Sequence, residues 1–410
     1  VIQLDLFAHV AKAYAQAHDS TLDNEALYRA VAVRAGVAAE TLESKAPIGK
    51  SGMMRSPVKR KIRWYQQTLK TLGLIEHVPG ERGVWRLTDA GKKKLHPAKP
   101  TVALLAFSTD LGLAIWGDCN HVFSRLDEPI HLCLTSPPYP LRRSRAYGNP
   151  SEAEYVDFIV RAMEPIVKNL APGGSIVINV SNDIFEHKSP ARSLYRERLV
   201  LALHDRLGLH KMDELIWHNP SKPPGPTWWA SINRVQLNVA WEPVYWFTND
   251  PARVRADNRR VLEPHTEQHL RFVQRGGVTW EPKVYSDGAY QHRPGAYSNP
   301  TAGRIPRNLI RQPHTCADLR QTREAVAKLG LPIHGAPMPL ALAQFLVEFL
   351  TEPGELVVDN FFGWGTTAKA AENAGRRWMG AELMLELVRG AAERFREFSG
   401  FWMHPALEAM

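Results

Sequence analysis

The sequence predicts an α/β protein in two parts, a small basic domain over residues 1–100 and a larger domain over 101–410. Three stretches predict it. Residues 354–383, "GELVVDNFFGWGTTAKAAENAGRRWMGAEL", read as strand, glycine turn, helix and a short strand ending in an acid. Residues 130–139 run apolar through Ile130, Leu132 and Leu134, then stop on Ser136, Pro137, Pro138 and Tyr139. Residues 59–87 join a basic amphipathic pattern to two short apolar runs separated by "PGERG".

Composition bounds what such a chain can do. At 410 residues, 44% hydrophobic and 23% charged, it can bury cores for two or three domains. Three scattered cysteines form no CxxC pair and no disulfide framework, which points to a reducing, cytoplasmic setting. No apolar run approaches membrane-spanning length, residues 1–17 carry no signal-peptide pattern, and the sixteen histidines show no metal-ligand spacing. No membrane and no metal are therefore expected. The net charge of +9 is uneven: residues 41–100 carry +10, residues 219–330 carry +7, and the remainder sums to −8. Two basic regions on an acidic body suit a polyanion gripped at two places, although solvated surface charge would look the same.

In the first domain, Ile62, Tyr65, Leu69 and Leu72 recur at helical steps. Lys59, Arg60, Lys61, Arg63, Gln66 and Lys70 take the other face, and Gly73 ends the helix. Strands over 74–78 and 84–87 form a hairpin, and Thr88 caps a further helix. A basic helix followed by a hairpin describes a winged helix-turn-helix. The stretch "RWYQQTLKTLGLIEHVPGERGVWRLTDAGKKKL" resembles the amino-terminal winged-helix domain of Mrr-type restriction proteins. The resemblance implies DNA binding through Lys59, Arg60, Lys61 and Arg63, with protein docking as the alternative. "HPAKPT", residues 96–101, reads as a linker.

The glycine turn of 354–383 lacks the third glycine of a dinucleotide fingerprint and the Gly-Lys-Ser/Thr of a phosphate loop. Its glycines let backbone approach a ligand, and an acid after the next strand can hold two ribose hydroxyls, so it reads as a nucleoside site without a phosphate cradle. The stretch resembles the S-adenosylmethionine-binding motif of amino-methylating DNA methyltransferases, Asp-Pro-Phe-x-Gly-x-Gly-Thr-Thr, with Asn360 in place of proline. That likeness implies cofactor contacts at Asp359, Phe361, Gly363, Gly365, Thr366 and Glu382, and a turn loosened at Asn360. "HGAPMP" resembles the motif beside the cofactor's methionine end, implicating His334, Ala336, Pro337 and Met338. "WGDCN" resembles the strand end whose acid contacts adenine, here Asp118, and "TSPPY" resembles the catalytic motif. Because the catalytic segment precedes the cofactor segment, the order resembles the beta class. It implies a circularly permuted Rossmann-like methyltransferase fold with a target-recognition region inserted at about 210–325. Double-stranded DNA is the implied partner, alongside a companion restriction endonuclease and a homodimer.

The chemistry fits the turn. An exocyclic amine is a poor nucleophile because its lone pair is delocalised into the ring. Ser136 Oγ and the Pro137 carbonyl can accept its hydrogens and favour a pyramidal nitrogen, while Pro137 and Pro138 hold those acceptors still. Tyr139 would stack on a base flipped from the duplex. In the resembled family Ser-Pro-Pro-Tyr accompanies N4-cytosine methylation. N6-adenine methylation and a catalytically silent DNA-binding regulator are the alternatives. Cys133 precedes the turn inside a strand and reads as core, which disfavours ring-carbon methylation. In "SKPPGPTWWASINR", Lys222 and Arg234 are candidate phosphate contacts, and Trp228 or Trp229 can lie beside an unpaired base or in the core. Trp241 and Trp246 read as packing. Arg253, Arg255, Arg259 and Arg260 read either as approaching DNA or as a solvated loop.

Overall fold

The computed structural model describes residues 9–10, 13–14, 17, 20–48, 53–71, 75–88, 96–141, 150–279, 284–285, 290–291 and 293–408. The amino-terminal part comprises β1 (Thr21–Asp23), α1 (Asn24–Arg34), α2 (Ala39–Glu43), β2 (Ala46–Ile48), β3 (Met53–Arg55), α3 (Pro57–Thr71), β4 (Ile75–His77) and β5 (Val84–Leu87). Strands β1, β5 and β4 form an antiparallel sheet in that order. Asp23 caps α1 by accepting from the Ala26 N–H at 2.7 Å. The expected helix and hairpin are both present, and Ile62, Tyr65 and Leu69 are buried in one cluster with Leu27, Val31 and Trp85. Gln66 corrects the predicted polar face. It is fully buried and donates to the Tyr14 hydroxyl at 2.6 Å, because an amide can enter a core where a partner waits. Leu72, Gly73, Leu74 and the helix expected after Thr88 lie outside the described residues.

The larger part begins with β6 (Ala103–Ser108), β7 (Gly112–Gly117), α4 (Cys119–Phe123), β8 (Ile130–Thr135), α5 (Glu152–Lys168), β9 (Leu170–Asn179), α6 (Tyr195–Leu207), β10 (His210–His218) and β11 (Trp241–Thr248). It continues through α7 (Glu267–Gln274), a short β12 (Val284–Tyr285) and β13 (Tyr290–Gln291) pair, β14 (Leu309–Arg311), α8 (Ala317–Lys328) and α9 (Leu340–Leu350). The last elements are β15 (Leu356–Asp359), α10 (Thr366–Asn373), β16 (Arg377–Glu382), α11 (Leu385–Ala392), β17 (Trp402–Met403) and α12 (Pro405–Glu408). Ten strands make one sheet, ordered β14-β10-β11-β9-β8-β15-β16-β7-β6-β17. Its centre, β9-β8-β15-β16-β7, is parallel. Alternate residues of each central strand enter opposite cores, as the two-residue period of a strand requires. Leu132, Leu134, Val177 and Val357 pack with α9 and α10, whereas Cys133, Ile176, Ile178 and Val358 pack with α5 and α6. No described helix is long and apolar enough to cross a membrane.

This topology brings β8 and β15 side by side although more than two hundred residues separate them, so their carboxyl ends open onto one edge. It also divides the interval 210–325. Strands β10, β11 and β14 belong to the central sheet, leaving two excursions, 219–240 and 249–308. The first leaves the carboxyl edge. The second leaves the opposite edge, because β11 runs antiparallel to β9. There Arg253, Arg259 and Arg260 pair with Asp250, Asp257 and Glu352 at 2.5, 2.6 and 2.8 Å, and Arg255 pairs with Glu355. These arginines lie away from the crevice, tied to carboxylates. The linker is likewise docked at its start: the Ala98 N–H donates to the Leu383 carbonyl and the His96 N–H to Glu386, both at 2.8 Å.

Candidate active site

The serine-proline turn hangs from the end of β8. Thr135 Oγ1 donates to Asp359 Oδ1 at 2.7 Å and Thr367 Oγ1 to the Leu134 carbonyl at 2.9 Å, locking the last residues of β8 to β15 and α10. Beyond that lock Ser136 Oγ lies 3.0 Å from the Tyr139 hydroxyl, which donates to Asn179 Oδ1 at 2.9 Å. Asn179 Oδ1 is also 3.3 Å from Ser136 Oγ, and its Nδ2 donates to the Pro243 carbonyl at 3.2 Å. Asn179 orients both hydroxyls. Each hydroxyl has one hydrogen, and both are engaged inside this triangle, so lone pairs on Ser136 Oγ remain free to accept. Sequence reasoning passed over Asn179. Its signal was nonetheless present, since it is a polar residue closing an apolar strand, as Ser136 and Asp359 do after their own runs.

Two glycines shape the loop after β15. Gly363 has φ +54°, and a side chain there would meet the His334 ring at 3.1 Å; Gly365 has φ +66°, and its Cβ would strike the Phe362 ring at 2.6 Å. Glu382, at the end of β16, accepts from the Gly363 N–H at 2.6 Å and the Met384 N–H at 2.9 Å. Burial lifts its carboxyl to about 7, and lifts Asp359 to about 6. Asn360 does not loosen this loop. Its Nδ2 donates at 3.0 Å to the Ala162 carbonyl of α5, so a hydrogen bond to the neighbouring helix replaces a proline ring as the restraint.

These elements enclose one cavity of about 540 Å³, within the roughly 300–1,000 Å³ of small-ligand pockets. Ser136, Pro137, Pro138 and Tyr139 line it together with Asp118, His334, Ala336, Phe361, Gly363 and Glu382. Asp118 Oδ1 also caps α4, accepting from Asn120 and His121. Five other predicted contacts stand behind the wall. Asp359 is turned toward Thr135 and the Phe361 N–H, Thr366 accepts from Arg394 at 2.9 Å, Gly365 lies against Phe362, and Pro337 and Met338 are buried. Their positions support the loops that carry the lining residues. Cys119 also lines the cavity, its thiol pushed up to about 12 by burial. Cys133 is fully buried in β8.

The predicted DNA contacts are spread more widely. Lys59 is engaged by Glu25 at 3.2 Å and Glu43 at 2.8 Å; Arg60 is exposed, Lys61 stands 6.0 Å from the Tyr65 ring, and Arg63 is half-buried. Lys222 lines the crevice and pairs with Glu242 at 2.8 Å. Trp228 is 59% exposed on the π-helical turn Thr227–Ile232, Trp229 is half-buried, and Arg234 is exposed with φ +56°. Neither tryptophan is core. Trp246 is buried, donating to Ser175 Oγ at 3.0 Å, and Trp241 is half-buried.

Comparison with known proteins accords with this geometry. Residues 130–393 match the N6/N4 DNA methylase family, and residues 5–96 match the Mrr N-terminal domain. The type II methyltransferase M.PvuII of Proteus hauseri is 32% identical over 292 residues, 71% of this chain and 85% of the relative. M.BglII of Bacillus subtilis is 25% identical over 262 residues, 64% of this chain and 62% of the relative. The solved PvuII DNA methyltransferase, a cytosine-N4-specific enzyme, superposes with a TM-score of 0.55 and 28% identity, covering 72% of this chain and 90% of that one. The chain belongs to the N6/N4 DNA methylase family, with an Mrr-type amino-terminal domain. It is a DNA methyltransferase that uses S-adenosylmethionine.

Proposed function

We propose that the protein methylates the exocyclic N4 amine of cytosine in double-stranded DNA. The observation that carries this reading is the shared cavity, in which Ser136 to Tyr139 face the loop bearing Gly363 and Glu382. The cofactor supplies an activated methyl on a sulfonium. Glu382 would accept from the ribose hydroxyls, Asp118 from the adenine amine, and Phe361 would cover the adenine ring, while His334 and Ala336 border the methionine end. At the other side the amine hydrogens meet Ser136 Oγ and the Pro137 carbonyl. Held by Tyr139 and Asn179, Ser136 needs no rearrangement as positive charge grows on the nitrogen, and that preorganisation lowers the barrier. The methylated nitrogen is cationic and acidic, so its proton leaves to water or through Ser136. The match to a cytosine-N4-specific relative and the serine in the turn both support cytosine over adenine.

The same reading assigns residues 1–100 to a winged-helix DNA-binding domain presenting Arg60, Lys61 and Arg63, and residues 101–410 to catalysis. Target recognition falls to the excursions 219–240 and 249–308, with Trp228 and Arg234 on the crevice side. The type II character of the relatives supports a companion restriction endonuclease, and a homodimer is part of the same proposal. Three unpaired cysteines fit a cytoplasmic setting. The test is methyl transfer from S-adenosylmethionine to duplex DNA, followed by mass spectrometry of the digested nucleosides. N4-methylcytosine is expected, and Ser136→Ala should lower kcat about 100-fold; N6-methyladenine instead, or full activity in that variant, would refute the reading.

A further inference from the structure

The sheet order sorts the cavity into two sides. Groups after β15, β16 and β7 lie on one side of the catalytic turn, and groups around β9, β10 and β11 lie on the other. The first side holds the nucleoside elements, so the flipped base must sit toward the second. There Lys222, four residues past β10, meets Glu242 of β11 at 2.8 Å, each side chain only 16% exposed. Lys222 is the only lysine or arginine among the described residues that line the cavity. Its turn is pinned: the Lys222 N–H donates to the Asn219 carbonyl at 3.2 Å, and Asn219 Oδ1 accepts from Ser221 and from the His314 N–H. A shielded, paired lysine on a fixed turn is poorly placed to follow a phosphate backbone, the role the sequence suggested for it.

We propose that Lys222, held by Glu242, reads the ring edge of the flipped base and selects cytosine over adenine. The inference rests on the amino-methylation reading of the same cavity. Beside its amine, cytosine presents two acceptors, N3 and O2; adenine presents N1 and then a C–H. An ammonium with one hydrogen on Glu242 has two left, enough to satisfy both cytosine acceptors but only one atom of adenine. Glu242 has a second effect. Its charge offsets that of Lys222, so the base edge is read without adding a positive field beside a nitrogen that must itself become cationic.

The test compares full-length wild-type protein with Lys222→Met, Lys222→Gln and Glu242→Gln on unmethylated duplex DNA. It measures kcat and KM, the nucleoside formed, cofactor affinity, and DNA binding at several salt concentrations. Lys222→Met should lower kcat/KM for cytosine about 10- to 100-fold, with Lys222→Gln intermediate and Glu242→Gln reducing kcat more than it raises KM. Cofactor affinity, and affinity for DNA without a target site, should match wild type. Unchanged kcat/KM in Lys222→Met would overturn the inference. So would a loss shared by all duplexes with a salt slope reduced by about one, the mark of a phosphate contact. Wild-type protein that transfers no methyl group would instead remove the reading on which the inference stands.

Discussion

The two sides of the crevice are built from different materials. Around β15 and β16 the wall is backbone: left-handed glycines, amide N–H groups aimed at Glu382, and a loop tied to α5 by Asn360. Around β10 and β11 it is side chains and loop: the Lys222–Glu242 pair, an Asp183 whose buried Oδ1 has no hydrogen-bond partner among the described residues, and a segment exposing Trp228, Ile232, Val235 and Leu237. A cofactor that is the same at every turnover suits a rigid cradle. A duplex that must be gripped, opened and released suits a wall that can adapt, and the cost of that adaptability is exposed apolar surface.

If the cofactor side is rigid backbone, a side chain within it should be the most damaging change. Gly365→Val forces a β-branched residue to φ +66° and into the Phe362 ring; a loss of about 3 kcal/mol or more is expected by thermal or denaturant unfolding. Glu382→Gln, which keeps an acceptor for the Gly363 and Met384 N–H groups, should weaken the cofactor about 10-fold by calorimetry, as charge-assisted hydrogen bonds are lost, with DNA affinity unchanged.

The raised carboxyl of Glu382 gives this side a pH signature. Ribose hydroxyls favour the ionised form, so cofactor affinity should rise as pH climbs through about 7, by about 10-fold between pH 6 and pH 8. Glu382→Gln should flatten that rise. Stability of the free protein should move the other way. Asp359 and Glu382 are raised above their unfolded values, so their contribution is complete below the unfolded range and declines as pH rises through about 6 and about 7.

On the adaptable side, Trp228→Ala should leave the cofactor untouched and weaken DNA binding by about 1–3 kcal/mol in a fluorescence titration, the range for one base stacked on an aromatic ring. A change in cofactor affinity instead would blur the division between the walls. The smallest effect belongs to Asn360→Ala, which removes the bond to Ala162 and should cost about 1 kcal/mol in unfolding free energy. No change at all would mean that the glycines alone hold the loop.

Much of this site was legible in the chain because its signals are local. An apolar run closed by Ser136 or Asp359, a turn with Gly363 and Gly365, and an acid ending the next strand are patterns of a few residues, and the strands and helix lie where those patterns put them. What escaped was partnership. The partners of Asn179 were set only when β9 lay beside β8, Gln66 found its place in the core through Tyr14, fifty-two residues away, and the residues read as a linker dock against 383–386. The second basic region divided for the same reason: antiparallel β11 carried Arg253 to Arg260 to the edge remote from the crevice.

By itself, then, the order of amino acids determined the local chemistry: where strands stop, which turns need glycine, and which oxygens can face a ligand. Tertiary structure alone decided which of those groups meet, because hydrogen bonds and ion pairs between distant segments depend on strand order and direction. That is why Lys222 could be recognised as basic from its letter, and as a reader of the base only from the wall it shares with Glu242.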